Sequence, residues 1–305
     1  LAQPAVDSLP IAAVERDTGL SKDTLRVWER RYGFPQPVRD TFDERVYPAD
    51  QVERLRLIAR LLSSGQRPGR VVPLPLAELQ QIAQDYAPPA HADHLPSADQ
   101  QQVLALLKQH DVAALRRALS QAVLRLGLGR FVTDLLAPLN VMVGEAWMRG
   151  EIQVFEEHMY TESVTAVLRG AIGSAPVPPM AGRPRVLLAT FPQEAHALGL
   201  LMAEAMLVLE GCECVSLGVQ TPVLEIAQAA QANRVQIVGL SFSASGNANQ
   251  LLRGLQELRA KLPPEVAVWA GGSHPALRRR ELAGITPVPS LADIPPLLAQ
   301  WAAEH

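Results

Sequence analysis

Three proline-rich tracts cut this chain: Val72-Pro73-Leu74-Pro75, the stretch from Pro88-Pro89 to Pro96, and Pro176-Val177-Pro178-Pro179 to Pro184. Proline lacks an N–H and pushes the residue before it out of helical geometry, so such tracts end helices and favour extended connections. Residues 1–72, 97–174 and 183–305 are therefore expected to fold as separate modules, with 73–96 as a linker. Length agrees, since 305 residues exceed one ordinary domain of roughly 100–200. No apolar run approaches the ~18 residues of a membrane-spanning helix, and Cys212 and Cys214 are too few for a disulfide framework. A cytoplasmic location away from the membrane is expected. The net charge of −3 confines any nucleic-acid contact to one local module.

The first module contains such a region. Residues 10–18 read as a short helix, Gly19-Leu20 as a turn, and Ser21 as the N-cap of a second helix running to Tyr32. This spacing suits a helix-turn-helix, whose second helix enters the major groove. Lys22, Arg26, Arg30, Arg31 and Arg39 outnumber Asp23 and Glu29, while Leu25 and Trp28 are spaced to point into a small core. An irregular segment with Arg39 and Arg45 follows, then a helix from about Ala49 to Ser64. The alternative is a solvated basic helix in a small helical domain.

The set Leu25-Arg26, Trp28-Glu29-Arg30, Gly33, Pro37, Arg45, Tyr47, Val52 and Leu55 resembles the MerR family of winged helix-turn-helix proteins. The resemblance implies a dimer on a palindromic operator. Lys22, Thr24, Arg26 and Tyr32 would face the groove and phosphates, and Arg39 and Arg45 would lie on the wing.

From Arg185 onward buried-strand runs alternate with helices: Arg185–Thr190, Cys212–Gly218, Gln236–Phe242 and Val266–Gly272 are strands. That alternation predicts right-handed crossovers and a parallel sheet covered on both faces, with ligands bound beyond the carboxyl ends of the strands. The first such loop carries Glu194, His196 and Gly199. A histidine there can offer one ring nitrogen to a metal while Glu194 holds the other. Ser241, Gly271 and Gly272 at later strand ends leave a slot, and neither a dinucleotide fingerprint nor a phosphate-binding loop is present.

These strand ends together resemble the cobalamin-binding Rossmann-like (flavodoxin-type) domain. Its histidine displaces dimethylbenzimidazole as the lower cobalt ligand. The resemblance implies that His196 ligates cobalt, Glu194 orients it where the family usually has Asp, and Ser241, Gly271 and Gly272 line the nucleotide-tail site.

Residues 97–174 carry helical patterning with short loops, which predicts a small four-helix bundle. Trp147 closes one helix, and Glu157-His158 lies near the start of the next. Taken alone, the tryptophan reads as core and the Glu-His pair as solvated. Ahead of a cobalamin domain, this arrangement resembles the light-sensing MerR-type regulators of the CarH/LitR group. In that group adenosylcobalamin lies between bundle and sheet domain, the tryptophan packs on the adenosyl group and the glutamate hydrogen-bonds to it. Light then breaks up a dark tetramer and releases DNA. Trp147, Glu157 and His158 would carry the difference in binding free energy between cofactor states.

One position departs from the group: where it has a histidine that captures cobalt from above, this chain has Met148. A thioether is a softer, weaker ligand for oxidised cobalt, so no stable bis-histidine photoproduct is expected through this position. Water or Met148 at the upper site, another switching mechanism, or a different tetrapyrrole such as a bilin are the alternatives.

The resulting expectation is a non-enzymatic, homo-oligomeric repressor (dimer or tetramer) controlled by adenosylcobalamin and light. Competing readings are a sensor of cobalamin level or of a bilin, and a corrinoid methyl carrier; the N-terminal helix-turn-helix argues against the carrier. His91 and His94 are expected to be solvated, Cys212 and Cys214 to be packed, and Arg278-Arg279-Arg280 to be a surface helix end.

Overall fold

The computed structural model describes residues 8–63, 66–86, 97–175, 182–244, 247–279 and 282–304. His91, His94, Arg280 and most of the proline tracts lie outside them. The chain divides into two compact units, one of residues 1–95 with 144–154, the other of 96–143 with 155–305.

The first unit opens with strand β1 (Ser8–Pro10) and helices α1 (Ile11–Thr18) and α2 (Lys22–Tyr32). Gly19 and Gly33, at φ +70° and +68°, stop the two helices in the left-handed conformation that glycine tolerates best. Ser21 caps α2 by accepting the Thr24 N–H. The segment expected to be irregular is a true wing: β2 (Val38–Arg39) and β3 (Arg45–Pro48) pair antiparallel, and β1 joins β3 to give the order β1-β3-β2. Helices α3 (Ala49–Ser63), α4 (Pro68–Val71) and α5 (Leu76–Tyr86) follow.

Helix α5 corrects the expectation of a linker over 73–96. Pro75 stands just before its first turn, where the missing N–H costs nothing, and the Pro75 carbonyl accepts the Leu79 N–H. Leu79 and Ala83 then join Val14, Leu25, Trp28, Tyr47, Leu55 and Leu61 in one buried apolar cluster.

The second unit begins with α6 (Ala98–Lys108), α7 (Val112–Leu126) and α8 (Leu128–Arg130). A π-helical turn (Phe131–Leu136) leads into α9 (Ala137–Met148), and α10 (Val154–Gly173) completes the four-helix region. Helix α9 runs past Val143, so its last turn is counted with the first unit. Leu107, Leu115, Leu119, Phe131, Leu136, Leu139 and Val164 are buried within the bundle.

Strands β4 (Arg185–Ala189), β5 (Glu213–Gly218), β6 (Ile237–Phe242), β7 (Ala267–Gly272) and β8 (Thr286–Val288) form one sheet in the order β5-β4-β6-β7-β8, every pair parallel. Helices α11 (Leu198–Leu209), α12 (Val223–Ala232), α13 (Ala248–Lys261), α14 (Ala276–Arg279) and α15 (Ile294–Glu304) connect and cover it. The sheet is the flavodoxin-type arrangement expected. Its order reverses between β4 and β6, which opens a crevice at their carboxyl ends. Bundle and sheet meet at α11: α8 and the π-helical turn pack on it, and buried Tyr160 donates to Asn140, whose Nδ2 lies 3.5 Å from Met202 Sδ.

Candidate functional site

At the crevice, Thr190 fastens two loops together. Fully buried just after β4, its hydroxyl donates to the Glu194 carbonyl at 2.6 Å and accepts the Gln220 N–H at 2.9 Å. Its backbone exchanges further bonds with Gly218 and Thr221. This fixes the start of the loop that carries Glu194 and His196.

Glu194 is 6% exposed and takes four donors. Oε1 lies 2.6 Å from His196 Nδ1 and accepts the His196 N–H at 3.0 Å, while Oε2 accepts the Ser243 N–H at 2.7 Å and hydroxyl at 2.8 Å. Burial by itself raises the Glu194 pKa, but the bonds from His196 and Ser243 outweigh it and hold the carboxyl at about 2. Glu194 therefore stays ionised and ties the loop after β4 to the end of β6.

The imidazole answers that charge. The hydrogen bond to Glu194 raises the His196 pKa; burial opposes this, and the charges of Glu194 and then Glu157 add to it. In the neutral ring the carboxylate holds the proton on Nδ1, which leaves the Nε2 lone pair open to a metal on a side chain 66% exposed. Among the described residues no three His, Cys, Asp or Glu side chains are grouped to hold a metal ion. A single imidazole does not cage a bare ion, but it suits a metal that brings its own equatorial ligands. The donor set thus fits a corrin cobalt.

The residues expected to line a slot pack closely against their neighbours. A Cβ on Gly199 would lie 2.6 Å from Ser241 Oγ, so the space at this glycine is already used by Ser241. Gly271 faces Val288, and Gly272, at φ +109°, sits against the Phe242 backbone. Close packing of α11 on β6 accounts for Gly199, and of neighbouring strand ends for Gly271 and Gly272.

The bundle residues divide. Glu157 sits close enough to influence His196, and its Oε1 accepts the Thr161 hydroxyl at 2.7 Å; His158, beside it, is 71% exposed. Trp147 and Met148 belong to the first unit instead. There the Arg60 guanidinium lies 5.5 Å from the Trp147 ring centroid, and Met148 packs against the cluster built on Leu25 and Leu55. The structure thus brings Glu157, Glu194, His196, Gly199 and Ser241 together, with Gly271 and Gly272 at the adjoining strand end.

On the DNA-binding side, Lys22 and Arg26 are exposed on α2, pairing loosely with Glu15 at 3.5 Å and Asp23 at 3.6 Å. Thr24 shares a hydroxyl contact with Ser21, and Tyr32 is half-buried against the core. On the wing, Arg39 reaches Asp43 at 3.2 Å, and Arg45 is held by Glu29 at 2.9 Å. Glu29 also accepts the hydroxyl of buried Tyr47 at 2.9 Å.

Sequence reasoning missed Thr190, Ser243 and Glu29 as organising residues. Ser243 lay in the strand-end run that drew attention to Ser241, but its bond to Glu194 spans 49 residues. The two cysteines are packed, as expected: burial pushes Cys212 up to about 11 and raises Cys214 as well. Arg278 is exposed in the short helix α14.

Comparison with known proteins agrees with this layout. The MerR HTH family regulatory protein matches residues 9–72, and two B12 binding domain families match residues 100–169 and 184–287. The chain is 32% identical over 272 residues to the HTH-type transcriptional repressor CarH of Myxococcus xanthus, covering 86% of this chain and 89% of CarH. It is 30% identical over 273 residues to the HTH-type transcriptional repressor CarA of the same organism, covering 89% of each. Among solved structures, the monomethylamine corrinoid protein of Methanosarcina barkeri shares the fold at a TM-score of 0.52 and 18% identity, over 65% of this chain and 96% of that one. The chain belongs to the CarH/CarA family of MerR-type regulators, in which a helix-turn-helix head is joined to a B12-binding domain.

Proposed function

We propose that this chain is a cobalamin-dependent transcriptional repressor that holds operator DNA through α2 and its wing and responds to light through adenosylcobalamin. The observation that carries this reading is the Glu194-oriented imidazole of His196, set at the crevice of a B12-type sheet in a chain that begins with a helix-turn-helix. His196 would bind cobalt from below through Nε2. Glu194 fixes its tautomer, Ser243 anchors Glu194, and Ser241, Gly271 and Gly272 border the nucleotide tail. The bound cofactor supplies a light-sensitive bond between cobalt and carbon. Glu157 and His158 are assigned to its upper side, and by the family resemblance Trp147 and Met148 are as well.

The chain is read as a regulator that assembles as a homo-oligomer and loosens on illumination, with no catalytic role, acting on cytoplasmic DNA. Among the described residues no helix is long and apolar enough to cross a membrane. A second reading, in which cofactor level or another tetrapyrrole is the signal, draws support from Met148, which packs, partly buried, against the first unit's core and stands where the light-sensing group has a histidine. Absorption spectra and gel filtration of cobalamin-reconstituted protein, dark and illuminated, separate the two. Light-dependent spectra and a change of assembly support light sensing, and light-insensitive spectra with unchanged assembly reject it. A bis-imidazole cobalt spectrum after illumination would overturn the assignment at Met148.

A further inference from the structure

Helix α2 presents one exposed apolar residue on its charged outer face. Leu25 and Trp28 are buried, while Lys22, Asp23, Arg26, Val27 and Arg30 are exposed. Val27 stands out among these because 44% of its surface is exposed in the middle of a charged helical face. A β-branched side chain is a poor choice on a solvated helix, where long polar residues lose less side-chain freedom. The residues on either side are accounted for: Arg26 pairs with Asp23, and Arg30 Nε donates to the Arg26 carbonyl at 3.3 Å. Val27 contributes neither charge nor hydrogen bond, so phosphate attraction does not explain it.

The chemistry of the major groove does. Base edges there show hydrogen-bond donors, acceptors and one apolar group, the C5 methyl of thymine. An isopropyl group complements only the methyl. We propose that Val27 is a specificity-determining residue that reads a thymine methyl in each operator half-site, flanked by Arg26 and Arg30 at polar edges or phosphates. This rests on the reading that α2 enters the groove, and the test separates the two claims.

A duplex is first selected from random DNA by the whole chain of 305 residues loaded with adenosylcobalamin and kept in the dark. Each thymine in it is then replaced singly by deoxyuridine, which removes the methyl and keeps every hydrogen bond. The wild-type chain is expected to lose about fourfold in affinity at one thymine per half-site, the effect of burying a single methyl. Val27→Ala should bind the thymine and deoxyuridine duplexes alike at that position, and Val27→Thr, which keeps one methyl, should fall between. Because the side chain is exposed, both variants should melt as the wild type does. Equal losses for wild type and Val27→Ala at every position, or no loss anywhere, overturn the inference while leaving groove entry intact. Failure to select any duplex overturns groove entry itself.

Discussion

The guanidinium of Arg60 sits 5.5 Å from the centre of the Trp147 indole, inside the unit that also holds the helix-turn-helix. Arg60 is 8% exposed, and burial together with the nearby charge of Arg56 lowers its pKa. A desolvated cation on an aromatic face gains about 2 kcal/mol. The position just beyond, Gly150, is also close-packed: a Cβ there would meet Arg60 Nη1 at 3.0 Å. Trp147 therefore has structural work in the protein chain itself, whatever it does at the cofactor.

That relationship predicts a stability effect independent of cobalamin. Trp147→Ala should destabilise the cofactor-free chain by about 2 kcal/mol, and Trp147→Phe by less, because a phenyl face still receives the guanidinium. Thermal or urea unfolding of protein prepared without cobalamin is the measurement. Equal stability of wild type and Trp147→Ala would show that the indole contributes only at the cofactor.

Replacing His196, the proposed cobalt ligand, should act on the cofactor and spare the fold. His196 is largely exposed, so His196→Ala is expected to leave secondary structure intact while weakening cobalamin retention at least tenfold and abolishing the imidazole-bound spectrum. Ser243→Ala takes one donor from Glu194 and should give a smaller loss of the same kind, since the Ser243 backbone N–H remains. Gel-filtration co-elution and absorption spectra report both. Unchanged retention in His196→Ala would remove this residue from the site.

The Glu194–His196 pair also sets a pH signature in the cofactor-free protein. Glu194 has a folded pKa of about 2 against an ordinary 4.5, so its contribution is complete above about 4.5 and disappears as pH falls towards 2. His196 is shifted the other way, above its ordinary 6.5, so its contribution is complete below 6.5 and disappears as pH rises through the raised value. The stability difference between wild type and His196→Ala should therefore peak between about pH 5 and 6. Solvent screening at the exposed imidazole limits it to about 1 kcal/mol or less. A difference that keeps growing above pH 8 would contradict this sign.

Much of this protein was legible in its sequence because its strongest signals are local. Ser21 and Gly33 mark the ends of α2 through capping and left-handed geometry, both decided within a few residues. The strands from Arg185 onward are short apolar runs separated by helices, so the parallel sheet followed from their alternation. The missed elements had weak or misleading local signals: β2 has two residues, β8 is Thr286-Pro287-Val288, and α5 was hidden by the prolines before it. Contacts distant in sequence were illegible for another reason. No periodicity links Glu194 to Ser243 or Trp147 to Arg60, since those pairs exist only after the chain has folded.

Two crowded glycines in the sheet domain, Gly272 and Gly199, should respond differently to alanine. At Gly272 the added Cβ meets the Phe242 backbone, and φ +109° is hostile to any L side chain, so nothing flexible can yield. Gly272→Ala is expected to cost about 3 kcal/mol or more. At Gly199 the clash is with Ser241 Oγ, a rotatable hydroxyl, so Gly199→Ala should cost less and be partly rescued by Ser241→Ala. Urea unfolding of the single and double variants is the check, and additive effects for Gly199 with Ser241 would refute the contact.

The wing offers a final prediction, about which arginine touches DNA. Arg45 Nη1 lies 2.9 Å from Glu29 Oε2, and Oε1 of the same carboxylate accepts the hydroxyl of Tyr47, a fully buried ring whose pKa is raised first by burial and then by Glu29. One carboxylate on α2 therefore holds the strand that forms the wing. Glu29→Ala leaves the Tyr47 hydroxyl buried without its acceptor and should destabilise the chain by about 1–3 kcal/mol, with weaker operator binding as the wing loosens. Glu29→Gln keeps an acceptor for Tyr47 and should be milder. If Arg45 serves as a tether, Arg45→Ala lowers affinity and stability but leaves the dependence of log K on log salt concentration unchanged. If it also neutralises a phosphate, that slope flattens by about one unit. Its engagement by Glu29 favours the tether, whereas Lys22 and Arg26, exposed and only loosely paired, should each flatten the slope when replaced by alanine.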